Sequence, residues 1–450
     1  METIASQKGR WILYLQTVKA GGPYKITIQG KNTITLTNVL LGEVWLCSGQ
    51  SNMEFPMSST NYAYTGVLNA DQEIQQADYP DLRMFSVAKK PAAAPLEEVE
   101  GAWKITTPEN VRKFSAVAYY FGKELMDKLG VPVGLIETSW GGTTAEVWTN
   151  GDVLKSDSDF VPIVDRYNKS LEDCNKALKI YNEQKLVQWK RDSASARQKG
   201  DTIPAMPKKP VEVRQFTGPA QLYNSMLHPL IPYSLKGVIW YQGESNSPRS
   251  YQYRKLLPAL IQSWRKEWKQ DFPFYLVQIA PFMGYIPEIR EAQLITYRTV
   301  PKTGIVVITD AGDSANNHPK NKSVVGKRLA QWALAKDYGN RKLSFSGPLY
   351  KAYKVEGNKI RISFDFADGL QFRNGTANDF VIAGPNHQFI PATASIEGNT
   401  IVVWSDKITD PAAVRFGWKN VPHAELYNNA GLPASPFRTD DWPAETFNRK

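Results

Sequence analysis

Short apolar runs separated by amphipathic helical patterns occupy the middle of the chain. The apolar runs fall at 43–47, 82–86, 132–139, 236–242, 273–279 and 304–309. Apolar residues with helical spacing occur between or after these runs, at 116–129, 250–268 and 321–337. Strands that alternate with helices predict a parallel sheet, so the fold class is α/β.

Both ends of the chain show instead the alternation of apolar and polar residues that is typical of strands. It occurs at 11–16, 24–28 and 33–37, and it returns after about residue 340 between turns rich in Gly and Asn. Two or three strands do not make a stable sheet alone, so we expect the N-terminal strands to pair with the C-terminal β region. The predicted domains are 1–41 (a partial β domain), 42–340 (the α/β domain) and 341–450 (the C-terminal β domain).

A Lys- and Glu-rich segment at 150–213 interrupts the α/β pattern. Its apolar residues have helical spacing, and it ends in a proline-rich stretch at 203–210. This pattern predicts a helical hairpin inserted between two strands. The insertion either covers a site or decorates the surface, and we favour the second interpretation.

Composition narrows the classes of function. The chain has 450 residues and a formal net charge of +10, but its basic residues are scattered or lie on the solvated face of a predicted helix, so nucleic acid is not an expected partner. The high aromatic content suits a carbohydrate-active protein or a β-rich one. Cys47 and Cys174 have no metal-type spacing, and we expect neither a disulfide nor a metal site. No apolar run is long enough for a membrane span, and the sequence does not open with a signal-peptide pattern.

Ser51 is the first candidate for chemistry. It follows the apolar run at 43–47 after a turn of small and polar residues, which places it at the carboxyl end of a predicted strand. Open α/β sheets bind their ligands at this edge. A serine in such a turn can present its hydroxyl as a nucleophile and its backbone N–H to a developing oxyanion. The alternative is a strand followed by a serine that only caps a helix.

A nucleophilic serine needs a general base, and the chain has four histidines: His228, His318, His387 and His423. His318 lies in a polar loop after the run at 304–309 and before the helical pattern at 321–337, which is the same edge of the sheet as Ser51. The other three suit packing or loops of the β region.

Two further strand ends are predicted on this edge. The run at 132–139 leads to Gly141 and Gly142, where backbone N–H groups can approach a substrate closely. The run at 236–242 ends in Gln242, followed by Glu244. The amide can donate to an oxyanion, and the carboxylate can orient a histidine or bind substrate. Simple turns and capping side chains are the alternatives.

Several of these stretches together resemble one family. They are Gly-Gln-Ser-Asn-Met at 49–53, Trp-Gly-Gly-Thr at 140–143, Trp-Tyr-Gln-Gly-Glu-Ser-Asn at 240–246 and His-Pro-Lys-Asn-Lys at 318–322, supported by 222–229 and 431–441. The set resembles the sialate O-acetylesterase family of the SGNH hydrolases. The resemblance implies a flavodoxin-like three-layer α/β/α domain, an added β domain built from both chain ends, export to the periplasm or the extracellular space, and no cofactor. The N-terminal strands look like the tail of that β domain, so we expect its first strands to be missing here.

The resemblance assigns Ser51 as nucleophile and His318 as general base. It implies an oxyanion hole made of the Ser51 N–H, the turn at Gly141 and Gly142, and Gln242. Asn52, Glu244 and Asn246 are the expected substrate-binding residues.

The orienting acid is open, because the family usually has Asp two residues before the histidine and this chain has Asn316. We favour Asp313 slightly, with Glu244 and Asn316 as alternatives, and a serine–histidine pair without an acid is a further option.

The resulting hypothesis is a serine esterase that releases acetate from O-acetylated sialic acids through an acetyl-enzyme. An esterase for another acetylated glycan, such as xylan, is the nearest alternative. A glycan-binding protein on a degenerate esterase scaffold is the rival from another class, and Asn316 is the residue that keeps it open.

Overall fold

The computed structural model describes residues 1–15, 19–61, 63–373, 375 and 377–450. The strands are β1 (Gly21–Gln29), β2 (Thr33–Leu41), β3 (Glu43–Gly49), β4 (Tyr79–Ser86), β5 (Trp103–Thr106), β6 (Val133–Ser139), β7 (Gly237–Tyr241), β8 (Phe274–Val277), β9 (Thr303–Val306), β10 (Leu349–Glu356), β11 (Lys359–Asp365), β12 (Gln371–Phe372), β13 (Phe380–Ala383), β14 (Ile390–Pro391), β15 (Thr393–Glu397), β16 (Thr400–Trp404), β17 (Ala413–Phe416), β18 (Leu426–Tyr427) and β19 (Phe437–Arg438).

The helices follow the predicted positions closely and add others. They are α1 (Ser51–Glu54), α2 (Ala70–Gln75), α3 (Ala116–Leu129), α4 (Gly151–Ser156), α5 (Val161–Ile180), α6 (Leu186–Lys199), α7 (Ser250–Trp268), α8 (Pro287–Thr299) and α9 (Lys322–Lys336). Single 3₁₀ or π turns occur at Asn110–Lys113, Ala145–Trp148, Tyr181–Lys185, Gln215–Thr217, Tyr223–Leu227, His228–Leu230 and Glu244–Arg249. None of the helices in the described ranges is both long and apolar enough to cross a membrane.

The central sheet has the strand order β5-β4-β6-β3-β7-β8-β9. Its pairs are parallel except for the edge pair of β4 and β5. Successive residues of β3 point to opposite faces. Trp45 and Cys47 pack with α3 and α9, whereas Leu46 packs with α7 and α8. The predicted α/β class is confirmed, with helices on both faces of the sheet.

Local capping explains why α3 has the predicted bounds. The side chain of Ser115 accepts a hydrogen bond from the Ala118 N–H at 3.2 Å, which satisfies a donor of the first turn. At the other end, Gly130 adopts the left-handed conformation with φ of 62°. Serine before an apolar stripe and glycine after it are visible in the sequence, so the helix was predictable from local information.

The insertion differs from the predicted hairpin. α5, the π turn at Tyr181–Lys185 and α6 are continuous, so they form one long helix that ends at Gly200, with φ of 74°. The chain then returns through residues 201–213 without regular structure. The hairpin prediction was wrong because neither glycine nor proline breaks the helical pattern between Val164 and Gly200.

The N-terminal strands do not join the C-terminal β region, which corrects the predicted shared β domain. β1 pairs with β2 alone in the described chain, and the hairpin borders a cavity beside Val44, Pro132 and Tyr233 of the α/β unit. Residues 11–15, predicted as a strand, have no regular structure, and Gln16 lies outside the described residues.

The C-terminal strands form antiparallel sheets by themselves, with the orders β10-β11-β16-β15, β12-β18 and β14-β13-β17-β19. They pack against a different part of the central unit from the one that the hairpin borders. Their core includes Leu294 of α8 and Ile305 of β9, which is the far edge of the sheet from β5. This packing covers apolar surface on both partners and needs no contribution from the N-terminal hairpin.

The order of the strands defines where a ligand is expected. From β3 the chain builds β4, β5 and β6 on one side and then β7, β8 and β9 on the other. The direction of winding therefore reverses at β3. In open α/β sheets, ligands bind outside the carboxyl ends of the strands at such a reversal. Ser51 follows the carboxyl end of β3 directly.

Candidate active site

A strained turn after β3 holds Ser51. Gly49 has φ of 146°, and a Cβ at this position would lie 2.1 Å from the carbonyl oxygen of Tyr241 on β7, so only glycine fits. The N–H of Gln50 donates to that same Tyr241 oxygen at 3.0 Å. The carbonyl of Gln50 then accepts the N–H groups of Met53 and Glu54 at 2.9 Å each, which starts α1. Ser51 is thereby fixed at the reversal point, with 7% of its surface exposed.

Ser51 opens into a cleft of about 490 Å³ at the carboxyl edge of the sheet. Five of the residues predicted from the sequence line this cleft: Ser51, Gly141, Gly142, Glu244 and His318. The other residues that line it are Gln50, Glu54, Tyr64, Trp140, Arg214, Ser245, Tyr285 and Asn317. The fold therefore brings the predicted nucleophile and the predicted base to the lining of one cleft.

The imidazole of His318 is half-buried against the rings of Tyr64 and Phe55, with centroid distances of 5.4 and 6.4 Å. Burial first, and the positive charge of Lys322 second, lower the pKa of His318 to about 4, whereas a hydrogen bond to the backbone of Ala63 raises it. A bond that raises a histidine pKa has the ring as donor, so the Ala63 carbonyl is the acceptor.

The two ring nitrogens of His318 differ in their surroundings. Nε2 is buried without a hydrogen-bond partner among the described residues, and the backbone of Ala63 is the group whose interaction with the ring raises its pKa. A proton on Nδ1 would leave the lone pair of Nε2 free to accept another proton. At neutral pH the imidazole is uncharged and can accept a proton.

The structure does not bring the favoured orienting acid to His318. The carboxylate of Asp313 is exposed and accepts the N–H of Ala315 at 2.9 Å within its own loop. The side chain of Asn316 accepts the backbone N–H of His318 at 2.9 Å and so fixes the loop rather than the ring. The carboxylate of Glu244 bonds to Asn52.

Asn52 and Lys322 form a buried layer beneath the cleft. The side-chain amide of Asn52 donates to Glu244 Oε1 at 2.7 Å and to the Asn317 carbonyl at 2.9 Å, and its oxygen accepts Lys322 Nζ at 2.5 Å. Burial raises the pKa of Glu244, and burial lowers the pKa of Lys322 to about 7 despite the nearby carboxylate of Glu244. Asn52, predicted to bind substrate, instead has no exposed surface and ties the loop of His318 to the turn of Ser51.

Gln242 and Asn246 also lie behind the cleft rather than in it. The Gln242 amide donates to Asn246 Oδ1 at 2.7 Å and to Gln50 Oε1 at 3.2 Å, and it has no exposed surface. Asn246 accepts the Ala145 N–H at 2.8 Å and donates to Glu146 at 2.8 Å. The side chains predicted to donate to an oxyanion and to bind substrate are thus engaged in protein contacts, because the strand end turns them inward.

Gln50 takes the position at the cleft that Gln242 was predicted to have. Its Oε1 accepts from Gln242 Nε2 at 3.2 Å and from the Ser245 N–H at 3.2 Å, so these donors fix the orientation of its amide. Within the described ranges no hydrogen bond is made by Gln50 Nε2, and the residue lines the cleft. Its NH₂ group is therefore available to a ligand.

Glu54 holds the glycine turn after β6. Its Oε2 accepts the Gly141 N–H at 2.5 Å, and its Oε1 pairs with Lys89. The turn is packed tightly, since a Cβ on Gly141 would lie 2.6 Å from the Tyr64 hydroxyl and 3.3 Å from Ser51 Cβ. Of the two predicted glycine donors, Gly141 is engaged with Glu54, and Gly142, which is exposed, remains open to the cleft.

Comparison with known proteins identifies the family. Residues 41–189 and 211–335 match the family described as carbohydrate esterase, sialic acid-specific acetylesterase. The chain belongs to this family. Sialate O-acetylesterases of Rattus norvegicus and Homo sapiens are 31% and 30% identical to it, over 97% and 99% of this chain and 86% of each relative. The crystal structure of a carbohydrate acetylesterase from Xanthomonas citri is similar, with a TM-score of 0.79 and 34% identity over 97% of this chain and 89% of the other.

Membership in this carbohydrate esterase family confirms the resemblance found in the sequence and the class of carboxylic ester hydrolase. The residues that sequence reasoning missed are Gln50, Glu54, Tyr64, Arg214, Tyr285 and Lys322. Gln50 and Glu54 flank Ser51 closely, and Lys322 closes the motif that begins at His318, so their positions near the site were available in the sequence. The directions of their side chains were not.

Glu54 provides a test of how the glycine turn is positioned. We expect Glu54→Ala to lower kcat for acetyl esters about tenfold, because the released turn shifts relative to Ser51. Glu54→Gln should retain most of the activity, since an amide oxygen can still accept the Gly141 N–H. Steady-state kinetics on p-nitrophenyl acetate measure both variants. An alanine variant that is faster than the wild type would show that the carboxylate blocks the turn instead of holding it.

Proposed function

We propose that this chain is a serine esterase that removes O-acetyl groups from sialic acids, with Ser51 as nucleophile and His318 as general base. The observation that supports this most strongly is the cleft that Ser51 and His318 line together, where burial lowers the pKa of His318 and its Nε2 has no partner among the described residues. The family and the named relatives point to the same chemistry.

The reaction we propose has two steps. Ser51 Oγ attacks the acetyl carbonyl carbon while its proton moves to His318 Nε2, and the tetrahedral intermediate then collapses as the imidazolium returns the proton to the departing sugar oxygen. A water molecule, deprotonated by His318, attacks the acetyl-enzyme, and acetate leaves as the imidazolium returns the proton to Ser51 Oγ. The N–H groups of Ser51 and Gly142 and the amide of Gln50 are the proposed oxyanion donors, each worth about 3 kcal/mol.

We further propose that the enzyme works with a serine–histidine pair and a backbone acceptor in place of the orienting acid. In serine proteases the aspartate of the triad fixes the tautomer of the histidine, and its replacement by asparagine costs about 10⁴-fold in kcat through the wrong tautomer. In this chain the Ala63 carbonyl can fix the same tautomer from the backbone. The absence of a family-type aspartate at Asn316 is then compatible with catalysis.

The finer architecture is part of the same proposal. Residues 42–340 would be a flavodoxin-like SGNH esterase domain, and 341–450 an added β domain. Family resemblance also favours export to the compartment where acetylated glycans are displayed, which cell fractionation in the native host would test.

The second candidate function is a carbohydrate acetylesterase that accepts a broader range of acetylated sugars. The similar protein from Xanthomonas citri carries that description without a named sugar, and it shares 34% of its residues with this chain. The chemistry at Ser51 is the same for any acetylated sugar alcohol, so substrate choice depends on the rest of the cleft.

Acetate release from 9-O-acetylated sialic acid and from acetylated xylan, measured side by side, tests the proposal. We expect release from the sialic acid that disappears in Ser51→Ala. Release from xylan alone would keep the mechanism and change the substrate. Release from neither, with Ser51 unlabelled by a fluorophosphonate probe, would favour a glycan-binding protein instead.

A further inference from the structure

Among the lysines and arginines of the described residues, Arg214 is the one that lines the cleft. Its side chain is exposed, and one guanidinium nitrogen lies 3.8 Å from the position that a Cβ on Gly142 would occupy. For the residues that the structure describes, no hydrogen bond or ion pair involves this guanidinium. An arginine held beside an oxyanion turn with all its donors free is poised to bind an acceptor from a ligand.

The two acidic residues that line the cleft do not neutralise the positive charge of Arg214. Glu54 pairs with Lys89 and accepts the Gly141 N–H. Glu244 has only 4% of its surface exposed, and Asn52 donates to it from below. The accessible charge that a ligand meets on this side of the cleft is therefore positive.

Arg214 directly follows the insertion at 150–213, and local contacts hold it at this position. After the long helix of α5 and α6, the chain returns and makes a turn in which the N–H and hydroxyl of Thr217 donate to the Arg214 carbonyl at 3.0 and 2.7 Å. The ring of Phe216 stacks on Trp140, which precedes Gly141, with a centroid distance of 4.6 Å and an interplanar angle of 24°. The guanidinium lies over Phe216 at 6.0 Å. The segment after the insertion is thus fastened to the turn of the catalytic cleft.

We propose that Arg214 binds the carboxylate of an acidic acetylated sugar and gives the enzyme its preference for anionic over neutral acetyl esters. This inference rests on the proposed esterase function and specifies its substrate class. A guanidinium can bind a carboxylate through two parallel hydrogen bonds, which gives orientation as well as affinity. Sialic acids carry such a carboxylate on the sugar that bears the acetyl ester, whereas the acetylated xylose units of xylan do not.

The kinetic test compares 9-O-acetyl-N-acetylneuraminic acid with its C1 methyl ester, which keeps the acetyl group and removes the negative charge. We expect Arg214→Ala to lower kcat/KM for the acid about tenfold or more, mainly through KM, and to change the methyl ester less than about twofold. Arg214→Lys should restore part of the preference because it keeps the charge without the planar fork. Arg191→Ala, an exposed arginine of α6 that does not line the cleft, is the matched control.

A binding measurement separates this inference from the esterase proposal. Calorimetric titration with N-acetylneuraminate and with its methyl ester needs no turnover. Tighter binding of the acid that is lost in Arg214→Ala supports the carboxylate site even if no acetate is released. Equal binding of acid and ester by the wild type, or equal kinetic losses on both substrates, would overturn it. Acetate release that does not depend on Arg214 would retain the esterase and reject this site.

Discussion

Replacing Ser51 with alanine is expected to lower kcat for every acetyl ester by at least about 10⁴-fold, because no acetyl-enzyme can form. The substitution removes only the hydroxyl, and among the described residues that hydroxyl makes no hydrogen bond that stabilises the fold. The proposed oxyanion donors stay in place, since they are backbone N–H groups of Ser51 and Gly142 and the amide of Gln50. The loss should therefore fall on kcat, with a melting temperature close to that of the wild type.

The measurement combines kinetics on p-nitrophenyl acetate with labelling by a fluorophosphonate and mass spectrometry. Ser245 lines the same cleft and provides a matched serine control. Ser245→Ala should hydrolyse the ester and accept the label, whereas Ser51→Ala should do neither. A folded Ser51→Ala enzyme with substantial activity would exclude Ser51 as the nucleophile.

Much of the α/β unit could be predicted because its elements are specified locally. The observed bounds of α3 and α7 agree with the predicted helices at 116–129 and 250–268. β7 is buried along all five residues, as expected for a parallel strand covered on both faces. A continuous apolar run, a capping serine or a glycine after the last helical residue can be recognised in the sequence without knowing which element packs against it.

Pairing across long distances could not be predicted in the same way. Alternation identified strands at both chain ends but did not specify their neighbours, because alternation reports burial of one face and not the identity of the partner. The hairpin of β1 and β2 therefore pairs with itself, and the C-terminal strands pack on α8 and β9. The edge strand β5, with Trp103 40% exposed, had too weak a pattern to be recognised.

The site was predictable to the level of the sheet edge. Ser51, His318 and the glycine turn all follow strand ends on one edge, so their convergence followed from the topology. The side chains of Asn52, Gln242 and Asn246, which we expected to meet the ligand, turn inward in the structure and make hydrogen bonds within the protein. Which way a polar side chain turns at a strand end depends on donors from other loops, and sequence spacing does not contain that information.

His318→Gln is the second large loss that we expect, at about 10⁴-fold in kcat. Glutamine has a similar length but cannot take the Ser51 proton and return it to the leaving alcohol. Kinetics on p-nitrophenyl acetate measure the loss, and His423→Gln, an exposed histidine of the C-terminal region, is the control that should remain fully active.

The low pKa of His318 provides a second, independent test of its proposed role as general base. Only the neutral imidazole can act as base, and burial together with Lys322 lowers its pKa from 6.5 to about 4. As the pH falls, kcat/KM should therefore stay level through pH 6 and decline only around pH 4, since kcat/KM reports the base in the free enzyme. A decline centred near 6.5 would mean that the base is exposed to solvent and not held as the cleft holds His318.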